Sequence, residues 1–145
     1  MDWDTYFLQI ADTVRRKSKD PSTKVGAVIV RDHRILATGF NGFARGIDET
    51  DLSRWERPEK YLRVVHAERN AIYNAAREGT MLLGSTLYLF GMELPCIDCA
   101  NGIIQAGIIR IVGRKYKRTS SRWVDNLQVS EELLAEACVL FQEVQ

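Results

Sequence analysis

His66-Ala67-Glu68 and Pro95-Cys96-Ile97-Asp98-Cys99 limit what this chain can fold into more than any other feature. Together they offer one imidazole, two thiols and two carboxylates, that of Glu68 two residues past the imidazole and that of Asp98 within the C-x-x-C. A catalytic zinc typically keeps three protein ligands of these types and leaves its fourth position to water. If His66, Cys96 and Cys99 hold one ion, two segments far apart in sequence must end at the same point. Glu68 is then the spare acid that such a site needs to move a proton from water whose pKa zinc brings down to roughly 7.

Both clusters fall where helices begin. Residues 66–78 are alanine-rich and stop at Gly79, a glycine cap, while residues 96–106 follow Pro95 and stop at Gly107. Two helix N-termini then aim unpaired N–H groups and partial positive charge at one place, which favours thiolate over thiol. Cys96 and Cys99 lie one helical turn apart, so both sulfurs can face one metal.

The remaining signals supply a frame. Trp3, Tyr6, Phe7, Ile10, Ala11 and Val14 recur at helical spacing. They predict an amphipathic helix ending near Lys17, with Trp3 in the core. Residues 25–30 read as a buried strand, Asp32-His33-Arg34 as a turn with His33 exposed, and 35–40 as a returning strand. Residues 41–60 read as one long polar surface loop, a length often given to lids or binding loops. Further strands are expected at 86–90, 108–112 and 138–141, and Ser130 is expected to cap a helix with Glu131 and Glu132 in its first turn. A hairpin followed by alternating helices and strands predicts an α/β fold. It is a three-layer α/β/α sandwich around a mixed sheet of about five strands, with helices on both faces.

Composition narrows the class of ligand. At 145 residues the chain reads as a single domain, 1–145, large enough for a hydrophobic core. Its formal net charge of +1 lacks the basic excess of a protein that grips nucleic-acid backbones, so no polymeric nucleic acid is expected and the ligand is small. No apolar run approaches a membrane span, and Asp2, Trp3 and Asp4 do not resemble a signal peptide. Three cysteines, two of them in C-x-x-C, point to metal or redox chemistry in a reducing compartment, the cytoplasm. The alternative of a closed structural zinc on His66, Cys96, Cys99 and Cys138 leaves Glu68 without a purpose. A thioredoxin-like role for Cys96 and Cys99 explains neither His66 nor Glu68. Arg110, Arg114, Lys115, Lys117, Arg118 and Arg122 read as a solvated basic stretch.

Beyond the two clusters the chain resembles the deoxycytidylate (dCMP) deaminase branch of the zinc-dependent cytidine deaminase superfamily. The matching pieces are Ser18-Lys19-Asp20-Pro21, Val25-Gly26-Ala27, Gly39-Phe40-Asn41-Gly42, His66-Ala67-Glu68 with Asn70-Ala71-Ile72, residues 84–88, 95–100 and 103–108. The His-x-Glu…Pro-Cys-x-x-Cys pattern is itself a zinc deaminase signature. The resemblance implies a cytidine deaminase-like fold, one zinc per chain and a homo-oligomer. A second zinc near the amino terminus, present in some relatives, is not expected, because no Cys or His precedes His33.

The resemblance also implies roles by position. Asn41 should bind the sugar or a nearby edge of the nucleotide. The Ala67 N–H should meet the pyrimidine carbonyl, and the Pro95 carbonyl should accept from the amino group being lost. A phosphate needs cationic or N–H partners, for which Lys24 and Arg77 are candidates. The sequence departs from the family at Ala44, where a proline is usual, and in a longer stretch before Pro95. The expected reaction is hydrolytic deamination of a free cytosine nucleotide, dCMP to dUMP and ammonia. A deaminase of a cytidine nucleoside, modified base or other aminated heterocycle is the alternative within enzymes. Outside them it is a zinc-stabilised module that binds nucleotides without turnover.

Overall fold

The computed structural model describes residues 1–92, 94–114 and 121–145, with side chains from 124 onward in the last stretch. Asp2 caps the first helix, α1 (Trp3–Arg15), by accepting the Thr5 N–H. Its apolar stripe buries Phe7, Leu8 and Ala11 against one face of the central sheet. Trp3 is not part of that core. It is half exposed and stacks on the exposed His33, ring centres 4.0 Å apart.

Strands β1 (Gly26–Arg31) and β2 (Arg34–Phe40) form the expected hairpin, turning through Asp32 and His33 at positive φ. Two short strands, β3 (Gly42–Phe43) and β4 (Val64–Val65), pair with each other outside the main sheet. Between them lie a 3-10 turn, Leu52–Trp55, and the five-residue helix α2 (Glu59–Arg63). The expected continuous loop is thus a small folded unit. Trp55 anchors it, stacked on Phe43 at 4.3 Å with its indole N–H donating to the Glu49 carbonyl.

Helix α3 (Ala67–Glu78) follows, closed by Gly79 at φ 70, a conformation that glycine adopts without steric cost. Then come β5 (Thr86–Phe90), α4 (Ile97–Gln105), β6 (Arg110–Gly113), α5 (Ser121–Glu136) and β7 (Leu140–Glu143). The main sheet has five strands in the order β2-β1-β5-β6-β7, antiparallel up to β5 and parallel from β5 to β7. Pleating sorts its side chains. Val28, Val30, Tyr88 and Val112 point to α1, whereas Ala27, Ile29, Leu87, Leu89 and Ile111 point to α3, α4 and α5. This is the expected three-layer sandwich. One expectation fails within it: Ser130 does not cap a helix but sits inside α5, fully buried. Among the described residues no helix is long and apolar enough to cross a membrane.

The basic stretch also resolves in part. Arg110 binds the Asp4 carboxylate at 2.6 and 3.0 Å, and Arg114 lies over the Phe90 ring. Lys115, Lys117, Arg118 and the side chains of Arg122 and Trp123 lie outside the described residues.

Candidate active site

His66 and Cys96 occupy the N-cap positions of α3 and α4, where Ser, Thr, Asp or Asn would usually bond to the helix's own amides. Neither side chain makes such a bond. Both are left to point at each other. His66 Nδ1 lies 3.4 Å from Cys96 Sγ and 3.5 Å from Cys99 Sγ. Ligands 2.0–2.3 Å from a tetrahedral zinc stand about 3.6 Å apart, so the nitrogen–sulfur spacing fits that ion. Among the described residues these three are the group whose donor atoms converge, all within 4.8 Å of one another. Cys138 is exposed and outside it, which removes the closed four-ligand alternative.

Glu68 does not join the donors. It is 1% exposed, in the first turn of α3, and neither carboxylate oxygen has a hydrogen-bond partner. An unpartnered buried carboxylate is costly unless something polar comes to meet it. Burial pushes its pKa up, partly offset by His66. The hydrogen bond from the Cys99 thiol, followed by His66, pushes Cys96 well down, and Cys99 moves up in return. The Arg69 guanidinium faces the Cys99 sulfur and adds positive charge beside the pair, a contribution that no motif in the sequence announced. An N, S, S donor set, helix N-termini and a spare buried acid together fit a zinc ion.

What places α3 is Gly39. A Cβ there would stand 2.3 Å from the Ala71 nitrogen and 2.5 Å from the Ala67 carbonyl oxygen, so only glycine lets the helix start lie directly on β2. The Asn70 amide then ties that start to the Phe40 and Val65 carbonyls, at 2.7 and 3.2 Å. Ala67, as the first residue of α3, has an N–H with no acceptor inside the helix.

The side chain of Asn41 is built into the wall. Its oxygen accepts the Val25 N–H at 2.8 Å, and its nitrogen donates to the Thr23 carbonyl at 2.8 Å and to Asp20 at 3.1 Å. Asp20 in turn accepts from Lys60 at 2.6 Å and from the Ser22 and Thr23 amides. Burial alone would raise the Asp20 pKa, but these bonds outweigh it and hold the carboxyl below its ordinary value. Asp20, Asn41, Arg57, Lys60, His66 and Met92 line a cleft of about 110 Å³. Lys24 and Arg77, the expected phosphate partners, do not line it. Lys24 is exposed beside the wall, and Arg77 sits in the last turn of α3, about 15 Å along the helix from Ala67. Arg57 and Lys60 are the cations there instead. The sequence reading passed over both because they lie in a segment with no periodic pattern.

Pro95 precedes Cys96, and its carbonyl oxygen accepts from the Ser130 hydroxyl at 2.6 Å. Asn126 accepts the Ile97 N–H at 3.0 Å, serving as the cap that Cys96 does not provide. Neither contact from α5 was foreseen.

Comparison with known proteins agrees with this geometry. Residues 1–114 match the model of the cytidine and deoxycytidylate deaminase zinc-binding region. An uncharacterised deaminase of Aliivibrio fischeri is 41% identical over 139 residues, covering 94% of this chain and 90% of that protein. The Mus musculus deoxycytidylate deaminase is 38% identical over 119 residues, covering 77% of this chain and 64% of that protein. The structure of a dCMP deaminase from the cyanophage S-TIM5, in complex with dCMP and dUMP, superposes with a TM-score of 0.76 at 26% identity, covering 97% of this chain and 95% of that one. With its ligand triad converged and its acid held apart, the chain belongs to the zinc-binding cytidine and deoxycytidylate deaminase family.

Proposed function

We propose that this protein hydrolyses dCMP to dUMP and ammonia. The observation that carries the reading is the buried Glu68 carboxylate, unpartnered beside the His66, Cys96 and Cys99 donor set. Zinc bound there supplies Lewis acidity that makes water nucleophilic near neutral pH. Glu68 takes a proton and delivers it to the pyrimidine ring nitrogen N3, then helps to protonate the departing amine. The Ala67 N–H donates to the C2 carbonyl, and the Pro95 carbonyl accepts from the amino group. Asn41 shapes the wall beside the sugar, its side-chain amide already spent on Val25, Thr23 and Asp20.

The cleft, about 110 Å³, is smaller than the roughly 300 Å³ at which ligand pockets begin, and we assign the base to it and the phosphate to its mouth. Arg57, exposed there, is the cation assigned to it in place of Lys24 and Arg77. The exposed Leu52, Leu62 and Tyr73 offer apolar surface for the self-association proposed here.

The test is Glu68→Gln. Ammonia release from dCMP should fall by about 10²–10⁴, the range for losing general acid–base catalysis, while zinc content and dCMP binding persist. Retained turnover in that variant would remove Glu68 from the chemistry. A wild-type protein that releases no ammonia from any cytosine derivative would instead be a binding module. One that prefers deoxycytidine to dCMP would be a nucleoside deaminase.

A further inference from the structure

Serine hydroxyls inside helices usually turn back to the carbonyl one turn earlier. Ser130 does not. Fully buried in α5, it reaches across to the Pro95 carbonyl at 2.6 Å. Asn126, one turn before it on the same face, accepts the Ile97 N–H at 3.0 Å. The peptide groups on both sides of Cys96 are therefore held by one helix, and the two residues that hold them lie beyond the matched family region, which ends at residue 114.

We propose that Ser130 is a positioning residue that aims the Pro95 carbonyl at the amino group of the substrate. This rests on the deaminase reading above. A carbonyl oxygen has two lone pairs. The Ser130 hydroxyl takes one and fixes the plane of the peptide, which leaves the second for the substrate amino group in a set direction. Without the hydroxyl the oxygen keeps its charge but loses its orientation. The amino group of dCMP feels that loss. The corresponding oxygen of dUMP does not, because it has no proton to donate at that position.

The experiment measures binding of dCMP and dUMP in the Glu68→Gln background, where dCMP is not consumed. Ser130 is compared with Ser130→Ala and with the near-isosteric pair Ser130→Thr and Ser130→Val, and zinc content is measured in each. Ser130→Ala and Ser130→Val should weaken dCMP binding about tenfold, leave dUMP binding within about twofold, and keep zinc. Ser130→Thr should restore dCMP binding. If Ser130→Ala does not fold, the Thr and Val variants carry the comparison. Equal weakening of both nucleotides, loss of zinc, or no change for dCMP would overturn the proposal. Failure of the Glu68→Gln protein with Ser130 intact to bind dCMP would instead overturn the substrate reading on which it stands.

Discussion

The two cations of the cleft are not equivalent. Lys60 is buried and committed to Asp20 at 2.6 Å, so its charge is already neutralised inside the wall. Arg57 stands exposed at the mouth with its guanidinium 5.9 Å from the centre of the Tyr61 ring. A charge-assisted bond from a guanidinium to a phosphate is worth about 1.5–3 kcal/mol. Arg57→Ala should therefore raise KM for dCMP by about tenfold or more and leave KM for deoxycytidine unchanged, as steady-state ammonia release will read. An equal effect on both substrates would remove the phosphate from Arg57. His66, Glu68, Cys96 and Cys99 were legible in the sequence because their chemistry depends on fixed local spacing, which folding does not alter. Arg57 and Lys60 were not. Their place depends on how residues 44–63 pack around Trp55, and no period in that segment reports it. Lys24 and Arg77 were chosen for nearness in sequence to matched motifs, and for Arg77 the length of α3 carries the side chain to the helix end opposite the ligand His66.

At the scale of elements, two glycines set two helices on opposite faces of the sheet, and only one of those helices carries chemistry. Gly39 admits α3, as a Cβ would stand 2.3 Å from the Ala71 nitrogen. Gly26 admits α1 in the same way, 2.2 Å from the Ala11 carbonyl oxygen. Gly39→Ala and Gly26→Ala should each cost about 1–3 kcal/mol in urea denaturation, since backbone must move to make room. Their effects on turnover should part. A shift of α3 displaces His66 and Glu68 together, and misplacement by about 1 Å costs on the order of 10² in rate. A shift of α1 displaces neither. Equal losses of kcat in the two variants would mean that α3 is not placed by this contact. Helices α1, α3 and α4 and the main strands were legible because their apolar residues recur at one period, and Gly79 and Gly107 mark where α3 and α4 stop. The strands β3 and β4 were not, since two residues cannot display an alternation. Helix α5 was misjudged at Ser130 because its hydroxyl is spent on residue 95 rather than on a local amide, a contact invisible to any local rule.

For the molecule as a whole, the question is how far the fold depends on the metal. The zinc ligands join the starts of α3 and α4, which lie on one face of the sheet. The opposite layer is secured without them. Asp4 of α1 accepts from the Tyr88 hydroxyl of β5 at 2.8 Å and from Arg110 of β6, and burial pushes the Tyr88 pKa up to about 12. Two separate apolar clusters fill the space on either side of the sheet. A ligand that binds only the native state, held at a hundred times its dissociation constant, adds about 2.7 kcal/mol of stability. For a chain of this size each kcal/mol moves the melting temperature by roughly 2–4 °C. Removing zinc with a chelator should therefore lower Tm by about 5–10 °C and abolish turnover, with the far-ultraviolet circular dichroism at 25 °C unchanged. Readdition of zinc should restore both. Unfolding on chelation at 25 °C would show that the two apolar clusters do not hold the sandwich by themselves, and that the metal closes the fold as well as the active site.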